Sequence, residues 1–181
     1  IYSLYMHPEI NPFLLYEPMD KPAFAPIFEQ LLDDGVLYIF EEAGISIGMF
    51  KLIPLKHRTS HIAYLGGVAI DPDFAGKGYA KKMFEEIIAL GKTKQLMRIE
   101  LSVSVENTRA IALYKKCGFQ AEGVLRKYTY LKNEDRYIDE LLMSYLYWFA
   151  LICTAIKKLV IEKNASMWIT FHAGIFLLIK T

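Results

Sequence analysis

The chain has 181 residues, 54% of them hydrophobic, with 21 basic and 20 acidic side chains and a formal net charge of +1. That length and composition suit one ordinary domain with a full core, and the near-zero charge excludes a molecule drawn to nucleic acid by its overall field. Cys117 and Cys153 are the only cysteines and lack metal-ligand spacing. No metal is therefore expected, and, with no secretory signal evident, a reducing, cytoplasmic setting is.

In chain order, Pro8, Pro12, Pro18, Pro22 and Pro26 crowd the start, so residues 1–20 read as an irregular, wrapped segment. Phe24, Ile27, Phe28, Leu31 and Leu32 then fall on one helical face, with Pro26 limiting where that helix begins and Asp33-Asp34-Gly35 ending it. Val36 to Phe40 and Ile45 to Ile53 read as strands joined by the turn "EEAG", a hairpin. His61 to Ile70 is a third strand, in which Gly66-Gly67 marks a bulge or a close backbone approach.

Ala80, Met83, Phe84, Ile87 and Ile88 form the apolar stripe of the next helix, with Lys81–Glu85 and Lys82–Glu86 on its wet face and Gly91 as a C-cap. In Arg98 to Val105 apolar and polar residues alternate, a half-buried strand. Asn107 caps the helix "TRAIALYKKC", and Gly118 stops it. "FQAEGVL" and "RKYTYL" read as strands, and Lys132 to Asp135 turns into a last strand, Tyr137 to Leu146. Hairpins first and helical crossovers later predict an α/β fold with a mixed, mostly antiparallel sheet flanked by helices.

"DPDFAGKGYAKKMFEE" (Asp71 to Glu86) holds a lysine between two glycines where a strand gives way to a helix. Helix starts expose unpaired N–H groups and a positive dipole end, and glycines let an anion come close. An ATP-type loop fails here: its first glycine position is Asp71 and its Ser/Thr position is Gly78. A dinucleotide fingerprint fails at Lys81. A plain helix-capping turn would leave the same residues, so this stretch alone decides nothing.

"ENTRAIALYKKCGFQAEG" follows the next strand. Together, Asp71-Pro72, Gly76 to Ala80, Asn107, Ala110, Tyr114, Gly118-Phe119 and Gly123 resemble the GNAT family of N-acetyltransferases over roughly Val36 to Leu146. Gly78 and Ala80 match the last two fixed positions of that family's pyrophosphate loop, while Ala75 stands where Gln or Arg is usual. The resemblance implies a GNAT-like acyl-CoA N-acyltransferase fold and acetyl-CoA as cosubstrate. Its pyrophosphate would rest on the amides of Ala75, Gly76, Lys77, Gly78, Tyr79 and Ala80. Its pantetheine arm would pair with the backbone around Val68 and Ile70 and meet Asn107 and Ala110. A backbone N–H near Val68 or Ala69 would stabilise the oxyanion.

Acetyl transfer would go directly to a primary amine: a polyamine, an amino acid or a protein amino terminus. Tyr114 matches the family's general acid, although it also lies in a helical stripe with Ala110, Leu113 and Cys117 and fits a core position equally well. Glu100, on the polar face of its strand with Ser102 and Ser104, is the candidate base, with His57 and His61 behind it. Asp135, Asp139 and Glu140 would draw a cationic amine, or serve as ordinary turn and strand charges. The alternative is a catalytically silent acetyl-CoA-binding module acting by association, motivated by Ala75 and the tail and opposed by Tyr114 and Asn107.

Residues 1–146 are thus read as an acetyltransferase domain and 147–181 as an apolar extension. The extension carries four lysines, one glutamate and two apolar runs, Trp148 to Ile156 and Met167 to Ile179. Each run is shorter than the roughly 20 residues of a spanning helix. Packing on the domain as an added core element, or on a partner subunit as a homodimer contact, is expected rather than attachment to a membrane surface.

Overall fold

A left-handed pair at the tip of the first hairpin, Ala43 (φ 50°) and Gly44 (φ 78°), joins β1 (Leu37–Glu42) to β2 (Ile45–Pro54) in the two-residue turn that suits twisted strands. The computed structural model describes residues 1–147 and, beyond them, the backbone of two strands. The chain forms two compact units, Ile1–Leu146 and Tyr147–Thr181.

In the first unit, α1 (Tyr2–Tyr5) and α2 (Lys21–Asp33) precede the hairpin. Next come β3 (Ile62–Ile70), α3 (Tyr79–Thr93), β4 (Arg98–Ser104), α4 (Thr108–Lys116), β5 (Gln120–Leu131) and β6 (Arg136–Leu146). The sheet order is β1-β2-β3-β4-β6-β5, and β3 with β4 is its parallel pair. The predicted mixed, mostly antiparallel sheet is thus observed.

Two cores sandwich the sheet. Leu4, Tyr5, Phe24, Leu31, Val36, Met49 and Ala69 form one, which draws α1 and α2 onto the sheet. In the other, Phe84 of α3 lies 5.0 Å from the Tyr114 ring of α4 and 5.7 Å from that of Phe119. Met83, Phe84 and Ile87 are fully buried there. A buried aromatic of this kind stabilises by about 3–5 kcal/mol relative to alanine.

Four local readings are corrected. Helix α2 begins at Lys21, capped by Asp20 accepting from the Ala23 amide, and takes Pro26 inside it, so Pro26 does not limit its start. Gly91 is interior to α3; the chain leaves that helix two residues later, and Gln95 takes the left-handed turn (φ 58°). "FQAEGVL" and "RKYTYL" are one strand, β5, kinked by a bulge between Leu125 and Thr129 where Lys127 is left-handed (φ 52°). The irregular start contains α1 and a 3-10 turn at Asn11–Phe13 that places Tyr5 in the core. Gly118 (φ 93°) does end α4: its amide bonds to Lys115 O and that of Phe119 to Tyr114 O, a Schellman closure.

In the second unit, β7 (Ser166–Phe171) and β8 (Ile175–Lys180) pair antiparallel. The run from Trp148 to Ile156, and Cys153 within it, lie outside the described residues. Among the described residues, no helix is long and apolar enough to cross a membrane.

Candidate active site

The parallel strands β3 and β4 share only three residue pairs, Ile62 with Arg98, Ala63 with Ile99 and Tyr64 with Glu100. Beyond them β3 stays paired with β2 through Leu65, Gly66, Ala69 and Ile70, and Leu101–Ser104 stays paired with β6. The sheet therefore splits toward the C-terminal ends of its two central strands. The gap is part of a cleft of about 1000 Å³.

A bulge sets the angle of the split. Between Met49–Ala69 and Lys51–Gly66, β3 carries one residue more than β2, and Gly67 takes φ 59° to absorb it. The Asp71 amide donates to Ile47 O at 2.8 Å. By strand alternation Ala69 also faces β2, and the N–H and C=O groups of Val68 and Ile70 turn toward the gap.

At one end of the cleft α3 begins. Gly76 (φ 76°) and Gly78 (φ 87°) are left-handed, and a side chain at either would meet nothing within 4 Å. No side chain caps the helix, no acid sits in its first turn, and the Lys82 amide bonds back to Gly78 O. The amides of Tyr79, Ala80 and Lys81 lie ahead of that bond, without an intrahelical acceptor. Free amides, a positive dipole end and open glycines fit a diphosphate. Ala75, Gly76, Gly78 and Ala80 line the cleft here with Lys81, Arg109 and Lys116. Lys77 and Tyr79 do not: the Lys77 ammonium donates to Asp73 O at 2.9 Å, and Tyr79 packs edge-on against Phe74.

Val68, Ala69, Ile70, Asn107, Ala110 and Tyr114 line the middle of the cleft. Asn107 Oδ1 caps α4 by accepting from the Ala110 amide at 3.1 Å. Tyr114 is 9% exposed, and burial pushes its phenol up to about 12. The residue thus belongs to core and cleft at once.

Glu100 is not brought to these residues. Its carboxylate accepts from Arg98 Nε at 2.8 Å, Arg98 also donates to Glu122, and the cleft wall takes Ser102 and Ser104 from this strand instead. His57 and His61 are exposed and line no part of the cleft. Asp135 accepts from Tyr130 Oη and Asp139 from the Lys127 amide. Of the three hairpin acids only Glu140, held by the Thr129 hydroxyl, faces the cleft.

Several cleft residues escaped the sequence reading: Lys51, Tyr64, Arg109 and Lys116. Lys51 had a signal, since it is the lone charge in the apolar run "ISIGMFKLI". Tyr64 had none, because its role depends on a strand met 38 residues later.

Residues 1–119 match the model of the acetyltransferase (GNAT) family. The chain belongs to the GNAT family. It is 37% identical over 90 residues to the L-amino acid N-acetyltransferase AaaT of Escherichia coli K12, covering 49% of this chain and 54% of that protein. It is 30% identical over 150 residues to the uncharacterized N-acetyltransferase p20 of Bacillus licheniformis, covering 77% and 81%. The match thus spans about half of AaaT and most of p20. Among solved GNAT structures, the spermidine N-acetyltransferase of Vibrio cholerae in complex with CoA and spermine superimposes with a TM-score of 0.70 at 27% identity, covering 80% of this chain and 86% of that one. The GNAT fold predicted from the two motifs is therefore present.

Proposed function

We propose that the protein transfers an acetyl group from acetyl-CoA to a primary amine. The observation that carries this reading is the split between β3 and β4, with the open start of α3 at one end and Tyr114 on its wall. Bound acetyl-CoA supplies an activated acyl group: a nitrogen–carbon bond forms as the carbon–sulfur bond breaks, and CoA thiol and one proton leave.

The chain's own residues have defined tasks in this scheme. The amides from Ala75 to Ala80 hold the diphosphate, and the outward-turned backbone of Val68 and Ile70 holds the pantetheine arm. The Val68 N–H is the donor for negative charge developing on the transferred carbonyl oxygen; Ala69 faces β2. Tyr114 donates a hydrogen bond to the sulfur. With its phenol near 12, full transfer of its proton to a thiolate of pKa about 8.5 would run uphill by about 5 kcal/mol, so solvent completes that step.

An amine of pKa ~10.4 is neutral about once in a thousand molecules near neutral pH, so a base is required. Glu140 is our choice: it faces the cleft, whereas Glu100 is tied to Arg98. Release of free thiol from acetyl-CoA, followed over a panel of polyamines, amino acids and peptides, tests the proposal. Thiol release with at least one amine is expected; acetyl-CoA binding without release on any of them would overturn it.

A further inference from the structure

Lys51 is 5% exposed and has no carboxylate partner among the described residues, yet it lines the cleft beside Gly66 and Gly67. Its ammonium sits 5.1 Å from the centre of the Tyr16 ring. Its stem and the Tyr5 hydroxyl converge on the bulge: a Cβ at Gly67 would lie 3.1 Å from Lys51 Cε and 2.9 Å from Tyr5 Oη. Among the described residues that wholly buried hydroxyl has no hydrogen-bond partner. Among the described residues, a hydroxyl without a hydrogen-bond partner and the stem of a cation without a carboxylate partner thus meet at the bulge.

Buried donors and charges are normally paired, because desolvation is costly without a partner. Ring contact offsets only part of the cost of a buried ammonium. Burial also holds the Lys51 pKa below the usual lysine value for want of a negative neighbour. An anion in the cleft would pair with Lys51, which lines it. Resting on the acetyl-transfer reading above, we infer that Lys51 binds the carboxylate of the acceptor, so that the amine substrate is an α-amino acid rather than a polyamine.

A second charged residue of the cleft agrees. Glu140 faces the same cleft from β6, on the far side of the split, and presents a carboxylate to an ammonium. A cation on one wall and an anion on the other match a zwitterion. A polyamine would bring further positive charge beside Lys51 and offer it nothing to bind.

The test compares amino acids with their decarboxylated counterparts, leucine with isopentylamine and phenylalanine with phenethylamine, and adds spermidine. Wild type should prefer the amino acid in each pair. In Lys51→Met, which removes a buried charge at nearly constant volume, kcat/KM for the amino acid should fall by about 10- to 100-fold, mostly through KM. The matched amine should lose far less, and Lys51→Arg should recover part of the preference. A wild type that acetylates spermidine or the carboxylate-free amines as well as the amino acids overturns the inference and leaves the acetyl-transfer reading standing. Equal losses on both members of a pair in Lys51→Met, with acetyl-CoA binding intact, overturn it too. No thiol release with any acceptor removes both.

Discussion

The hydroxyl of Tyr64 and Oγ of Ser102 lie 2.8 Å apart and tie β3 to β4 just past the last residue pair the two strands share. The bond closes the apex of the split. Tyr64→Phe should lower unfolding stability by about 1 kcal/mol, as should Ser102→Ala. The double variant should cost less than the sum, with a coupling of about 0.5–1 kcal/mol in urea melts. Full additivity would mean the two groups act separately.

Tyr114→Phe should cut turnover by about 10²-fold while acetyl-CoA affinity, measured by calorimetry, stays within about twofold. The same variant has a stability signature. Burial raises the folded phenol from 10 to about 12, so its stabilising neutral form is fully present below 10 and is lost as pH climbs through that interval. The stability of wild type relative to Tyr114→Phe should therefore decline above pH 10, by on the order of 2 kcal/mol across the window.

Gly78 precedes α3 with φ 87° and open space where a side chain would stand. Gly78→Ala meets no clash but must adopt a left-handed backbone, at a cost of about 1–2 kcal/mol. A methyl group there also stands where a diphosphate would approach the amides. Acetyl-CoA affinity should fall by about tenfold or more, and Gly78→Asn should restore stability more than binding.

Gly48 has a different reason to be glycine. A Cβ there would come within 2.7 Å of Ile70 Cδ1 and 2.8 Å of Ala69 O. The second neighbour is backbone and cannot swing aside. Gly48→Ala should cost about 1–3 kcal/mol and push β3 off β2, weakening coenzyme binding as well. Thermal melts with and without acetyl-CoA would show both effects.

Much of this architecture was legible residue by residue, because local signals set it. The stripe from Ala80 to Ile88, the Asn107 cap and the Gly118 stop are each written within a few neighbours. What stayed hidden depends on distant partners. Glu100 looks available on its strand until Arg98 and Glu122 are placed around it. Gly91 looks like a helix end because nothing nearby reveals that it is buried. Lys51 stands out in the sequence, but its lack of a counterion among the described residues is a fact of tertiary structure.

The short seam between β3 and β4 has a mechanical consequence. Three residue pairs, the Met97 N–H to His61 O bond and the Tyr64–Ser102 bond stitch together two half-sheets that are otherwise complete. A ligand lying along the opening bonds to one half and packs on the other, so its affinity is also the strength of the suture. At a hundred times its dissociation constant it would add about 2.7 kcal/mol to the fold. Amide exchange should then slow on both banks at once, including in strands the ligand never touches.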